Sequence, residues 1–176
     1  MYPQAYLDYL VHFHGDRDYF ECHEILEEHW KSMPAGRRSP VWVGLIQIAV
    51  ALYHQRRNNR AGALKMMQSA VNLLNREQAA LEQLGLDAPK LIRLLNGRLE
   101  ELQQNAPYSS FNLPIKDETL LSHCREQCQL RGFSFGQESN LADEFLLNKH
   151  KLRDRTEVIE ERARQLQQKQ ARREEP

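Results

Sequence analysis

Apolar residues recur at intervals of three and four through every long segment of this chain, and nowhere do they alternate at two over any length. That period is the helical one, in which a single stripe of side chains faces a core, whereas a half-buried strand needs a period of two. Gly and Pro fall mainly between the periodic segments, where they end helices rather than interrupt them. The chain is therefore expected to be all-α: an antiparallel helical bundle of about six or seven helices, built from helix hairpins.

The first helix is expected over residues 3–13, with His12 and His14 at its C-terminal end, a place that favours a cationic imidazole. Asp18 followed by Glu21 resembles a capping box and opens a second helix that ends before Pro34. A third, over residues 40–57, is apolar nearly all round and belongs in the middle of the bundle. Residues 60–84 read as one long helix closed by Gly85, and Asp87 with Pro89 opens a fifth. Residues 1–104 thus form the bundle core. Residues 105–147 are expected to be an extended, proline-flanked connection with accessory helices from Asp117 and Asn140. Residues 148–176 carry nine Lys or Arg and six Asp or Glu around a thin stripe of Leu152, Ile159, Ala163 and Leu166, and read as a solvated C-terminal helix or tail.

Charge and motif content exclude several classes of function. Lys plus Arg and Asp plus Glu both total 24, so no global field recruits nucleic acid, and none is expected as a partner. The longest apolar run, residues 41–53, is 13 residues long, where a bilayer span needs about 20, so no membrane segment is expected. The first residues do not resemble a secretory leader, and three cysteines cannot all pair, which together point to the cytoplasm. His123, Cys124 and Cys128 lack a fourth ligand at finger spacing. No G-x-S-x-G, phosphate-binding glycine loop or G-x-G-x-x-G occurs.

One polar cluster stands apart. On a helix with His23 at zero, Trp30 falls near minus 20°, Glu27 near plus 40°, and Glu24 and Glu28 at about 100° and 140°. His23 and Glu27 thus lie within the apolar arc, and a carboxylate among aromatic rings persists only with a donor, a cation or a proton. On the third helix Gly44, Gln47, Ala51 and His54 share one stripe, whose small members would let a neighbour approach. Gln47 and His54 are therefore expected to meet His23 and Glu27 across the hairpin. Residues 1–30 carry seven acidic side chains against Arg17 alone, while Arg56, Arg57, Arg60 and others follow to offset them.

The run Phe20-Glu21-Cys22-His23-Glu24-Ile25-Leu26-Glu27-Glu28-His29-Trp30, then Gly44-Leu45-Ile46-Gln47-Ile48-Ala49 through His54, then Asn59 with Gly62-Ala63, resembles the family known as domain of unknown function 309. Its motif is similar to H-E-x-x-E-x-x-W followed by an L-I-Q-x-A helix. The resemblance covers residues 6–74 and implies a helical bundle with no established activity.

Three readings of the cluster follow. His23, Glu24, Glu27, Glu28, Trp30, Gln47 and His54 can form a buried His/Glu/Gln network that fixes helix register. They can belong to a non-catalytic binding or interaction module with a protein or peptide partner, or a second copy of the chain. Or His23, Glu27 and His54 can ligate a divalent metal in a hydrolase-like site. The zinc-protease motif H-E-x-x-H needs its second histidine where Glu27 stands, so peptidase chemistry is not supported. The expected role is a binding module without a cofactor, with the metal as the alternative.

Overall fold

The computed structural model describes residues 1–152 and 156–174, so residues 153–155 and 175–176 of the expected tail lie outside it. Among the described residues there are ten α-helices and no strand, apart from a single antiparallel bridge between Leu86 and Ile115. They are α1 (Gln4–His14), α2 (Tyr19–Ser32), α3 (Pro40–Arg56), α4 (Arg60–Leu74), α5 (Gln78–Gln83), α6 (Ala88–Gln103), α7 (Glu118–Leu130), α8 (Glu144–Leu147), α9 (Lys149–Leu152) and α10 (Thr156–Glu174). Seven of these run eleven residues or more and give the all-α bundle its mass.

Side-chain caps set the helix starts. Asp18 accepts the Glu21 amide at 3.0 Å, Asn59 that of Gly62 at 3.1 Å, Asp87 that of Lys90 at 2.9 Å, and Asp117 those of Thr119 and Leu120. Each satisfies amides that the first helical turn leaves without an intrahelical partner. Helix α3 runs through the middle, between α2 and α4; α1 packs on α2 and α7, and α4 on α6. Two tyrosines of α1 enter the core whole. Tyr6 donates its hydroxyl to the Leu84 carbonyl and Tyr9 to that of Leu45, each at 2.9 Å, so that burial leaves no orphan polar group. No described helix is long and apolar enough to cross a membrane.

Three expectations are corrected. Residues 60–84 are not one helix: α4 ends at Leu74, a turn over residues 75–77 follows, and α5 begins at Gln78. Asn75, a poor helix former, caps α4, and the break lets Leu81 reach the core beside α6. The helix expected from Asn140 begins instead at Glu144, capped by Asp143, and lasts one turn before α9. Leu146 alone of that turn is buried; Leu141 and Phe145 are exposed. The third concerns His14, which is fully buried rather than a solvated cation at a helix end. Its Nδ1 lies 2.7 Å from the Leu10 carbonyl, and its Nε2 accepts the Leu113 amide at 3.0 Å. Burial is the main force that pushes its pKa down to about 4. His12, two residues back, behaves as expected. Burial opposes its charge, but hydrogen bonding and attraction to Asp16 outweigh that and raise its pKa.

The connection over residues 105–143 wraps the α1–α2 corner, where it is held by arginines as well as by the apolar side chains it buries, Leu113, Leu120 and Cys124 among them. Arg17 is 1% exposed and donates to the carbonyls of Phe13, Phe111 and Gln137 and to Asn112 Oδ1. Arg56 donates to the Arg17 carbonyl and to Ser139 Oγ, with its guanidinium 4.7 Å from the centre of the Tyr19 ring. Beyond α9 every described side chain of α10 is exposed, Ile159 and Leu166 among them.

Candidate functional site

Helices α2 and α3 meet α9 at a cleft of about 340 Å³ lined by Tyr19, Phe20 and His23 of α2, Val50, Tyr53 and His54 of α3, Arg57 and Asn59 of the following turn, and His150 of α9. Asn58 takes a left-handed conformation (φ 61°), which asparagine tolerates, and reverses the chain there. That reversal puts Arg57 and Asn59 on either side of the turn and both on the cleft wall.

The apolar wall is aromatic: the Phe20 and Tyr53 rings lie 6.1 Å apart at 55°. The Tyr53 hydroxyl pairs with His150 Nδ1 and accepts the His150 amide at 3.2 Å, which ties α9 to α3. Lys149 adds charge pairs to Asp18 at 2.6 Å and Glu21 at 3.1 Å. Arg57 stacks at 5.3 Å over the Tyr53 ring and donates Nε to Asn148 Oδ1 at 3.2 Å; neither of its Nη atoms meets an acceptor among the described residues.

His54 has its tautomer fixed by its neighbour. Because Asn59 Oδ1 accepts the Gly62 amide, its Nδ2 is the atom that donates to His54 Nδ1 at 3.1 Å. The imidazole proton then sits on Nε2. Burial first, and the Arg57 charge second, lower the His54 pKa, so the ring is neutral at pH 7. Gly62 is required here, since a Cβ would come within 3.0 Å of the His54 ring.

His23 stands between two carboxylates of its own helix, with Nδ1 3.1 Å from Glu24 and Nε2 3.6 Å from Glu27. Glu27 also pairs with Lys31 at 3.0 Å. The expected sequestered acid is thus absent: the Glu27 side chain is 37% exposed, and it faces a lysine rather than Gln47. Gly44 and His54, the two ends of the α3 stripe, explain the difference. Gly44 makes room for Leu74, and His54 packs on Gly62, so the stripe packs on α4, and its His54 end alone also lines the cleft shared with α2. Gln47 has a buried Oε1 with no hydrogen-bond partner among the described residues and does not line the cleft. Trp30 packs at the core edge under the Arg38 guanidinium at 4.8 Å, while Glu28 is exposed near His29.

The three residues expected to share a metal are likewise divided. The donor atoms that lie within 4.8 Å of one another belong to His23, Glu24 and Glu27. His54 instead shares the cleft with His23. An ion at the first group would take the lone pair of one His23 ring nitrogen and so replace the direct contact that nitrogen now makes with a carboxylate. Tyr53 and His150 were not among the expected site residues. His150 lies 96 positions beyond His54, and no spacing rule links the two.

Other depressions exist, one of about 550 Å³ along the outer face of α6 and one of about 360 Å³ beside Gln55, Asn58 and Arg60. Neither gathers imidazoles, so the α2–α3–α9 cleft is the candidate site. Among the described residues its lining has no serine, cysteine or lysine to act as a nucleophile. Cys22, one residue from His23, is buried, donates toward the Tyr9 carbonyl at 3.5 Å, and has its thiol pKa pushed up by burial.

An all-helical bundle whose H-E-x-x-E-x-x-W helix forms one wall of a histidine-lined cleft is the class of protein that fold and site define. Residues 6–66 match the domain of unknown function DUF309. Over 169 residues the chain is 50% identical to the "Uncharacterized protein YpuF" of Bacillus subtilis (strain 168), which covers 96% of this chain and 97% of that protein. The chain belongs to the DUF309 family. No solved structure matches it.

Proposed function

We propose that this protein is a non-catalytic binding module and that the cleft between α2, α3 and α9 is where it binds a small molecule. The observation that carries this reading is convergence: three of the chain's seven histidines reach the cleft from three helices, beside two aromatic rings and an arginine. A volume of about 340 Å³ suits a small ligand, since ligand sites run from about 300 to 1,000 Å³, and is too small for a partner helix laid in a groove. The hydroxyl that does stand beside an imidazole, that of Tyr53, also accepts the His150 amide and ties α9 to α3, a bracing role that suits holding a molecule rather than cleaving one.

Melting in the presence of a small-molecule library tests this. A compound at about a hundred times its dissociation constant stabilises by about 2.7 kcal/mol, which raises the melting temperature by several degrees. Binders are expected to stabilise the wild type and not Val50→Trp, which fills the cleft from a half-buried position while retaining helical circular dichroism. Equal stabilisation of both proteins would place binding elsewhere. A second reading, a divalent metal on His23, Glu24 and Glu27, is favoured by the closeness of their donor atoms. In that case Zn or Mn alone raises the melting temperature, and Glu27→Gln removes the effect.

A further inference from the structure

The cleft is asymmetric in charge, and the asymmetry says what kind of molecule it would hold. Among the described residues its lining contains no carboxylate. Glu24 and Glu27 stand behind His23, and Glu27 is further occupied by Lys31. Of the charged groups on the wall, Arg57 is a guanidinium without an acidic partner among the described residues: Asn148 takes its Nε, and both Nη atoms remain as donors there. A partly buried guanidinium in that state is costly to maintain and is suited to bidentate pairing with a planar oxyanion. Next to it His54 offers a second donor, because Asn59 occupies Nδ1 and leaves the proton on Nε2. The two groups are close enough for the Arg57 charge to be felt at the imidazole. On the apolar side the Phe20 and Tyr53 rings lie 6.1 Å apart, and the Tyr53 hydroxyl is already committed to His150.

Resting on the binding-module reading, we infer that the ligand is a small organic oxyanion, a carboxylate or phosphate monoester on a planar apolar body. Its charged end pairs with Arg57 and His54, and its body lies against Phe20 and Tyr53. A cation is disfavoured by the same lining, and a neutral ligand would leave the Arg57 donors unmet.

Matched probes separate the class of ligand from the existence of the site. Indole-3-acetate and indole-3-acetamide share a body and differ in charge; phenyl phosphate carries the phosphate arm, and inorganic phosphate has no body. Calorimetric titration is expected to show indole-3-acetate or phenyl phosphate binding at least about tenfold more tightly than the amide, as charge-assisted hydrogen bonds to guanidinium require. Inorganic phosphate alone is expected to bind more weakly than phenyl phosphate. Which acid binds more tightly tells the carboxylate source from the phosphate source. Arg57→Gln should erase the preference for acid over amide while the amide still binds, and Arg57→Lys should restore part of it. If acid and amide bind this cleft equally, the oxyanion assignment is overturned while the binding site stands. If neither they nor the wider library bind at the cleft, the site itself is overturned.

Discussion

Arg17→Met is expected to lower the free energy of unfolding by about 3 to 5 kcal/mol, the range seen when one partner of a buried charged network is removed. The guanidinium is enclosed, and all four of its acceptors are uncharged: the carbonyls of Phe13 at 2.9 Å, Phe111 at 2.8 Å and Gln137 at 2.8 Å, and Asn112 Oδ1 at 2.7 Å. Methionine fills much of the space but gives none of these oxygens a donor, and each buried acceptor left unmet costs about 1 to 3 kcal/mol before relaxation. Only relaxation of the connection limits the sum. The backbone adds a second check. Arg17 has a φ of 57°, where a side chain is strained by about 1 to 2 kcal/mol and glycine is not. Arg17→Gly should therefore be less damaging than Arg17→Ala by about 1 kcal/mol, although neither donates a hydrogen bond. Urea titration gives the energies, and amide exchange should show faster opening at residues 111–113 and 136–139. A loss below about 1 kcal/mol would mean that water replaces the guanidinium at little cost.

Lowering the pH from about 6.5 to 4 is expected to remove about 3 kcal/mol through His14 alone, the energy that corresponds to a pKa of about 4 against an ordinary 6.5. The sign follows from proton uptake. Between those values the unfolded chain binds a proton at this imidazole and the folded chain does not. Stability is therefore complete above 6.5 and falls as the pH drops toward 4. The geometry gives the reason independently, because Nε2 accepts the Leu113 amide and Nδ1 faces a carbonyl, so an added proton would point at an N–H. His12 works in the other direction, since its raised pKa means that its contribution fades as the pH rises. Comparing the wild type with His14→Gln across this range isolates the effect from the carboxylates common to both. The variant should have a lower plateau at pH 7 and a flatter acid limb. Parallel limbs would mean that His14 accepts a proton in the folded state.

Both residues hold the same object. Arg17 and His14 stand at the α1–α2 corner and bind backbone groups of the connection, which also supplies Ser139 to Arg56. Further along the chain, Asn148, Lys149 and His150 reach the cleft wall and the start of α2. The segment after α6 therefore completes the site that the family motif begins.

The helices were legible because each has a 3.6-residue apolar stripe, and the starts at Tyr19, Arg60, Ala88 and Glu118 because Asp or Asn precedes each of them. The attachment of the connection was not legible. Its acceptors are mostly carbonyl oxygens, which every residue has, and they lie roughly a hundred positions from Arg17. The cluster on α2 was turned the wrong way. The side chains of α2 that are buried are Tyr19, Cys22 and Leu26, a face centred about 65° to one side of His23. His23 and Glu27 fall at the margin of that face, where half-burial and a lysine one turn on are what geometry allows. Counting Phe20 and Trp30 as core residues drew the arc too wide, since both are only partly buried. His54, Arg57 and Asn59 could be found near the motif, but His150 could be placed beside them only by the fold.

The claim on which the rest depends is that this cleft receives a molecule. Amide spectra of the nitrogen-15-labelled full chain, recorded with and without a library of small aromatic acids, amides and amines, test it residue by residue. The account predicts that the shifts of binders cluster on Phe20, His23, Val50, Tyr53, His54 and Asn59, spread to His150, and leave the outer face of α6 unmoved. Shifts concentrated on Lys90, Arg93 and Leu94, or none at any residue with every compound at millimolar concentration, would contradict it.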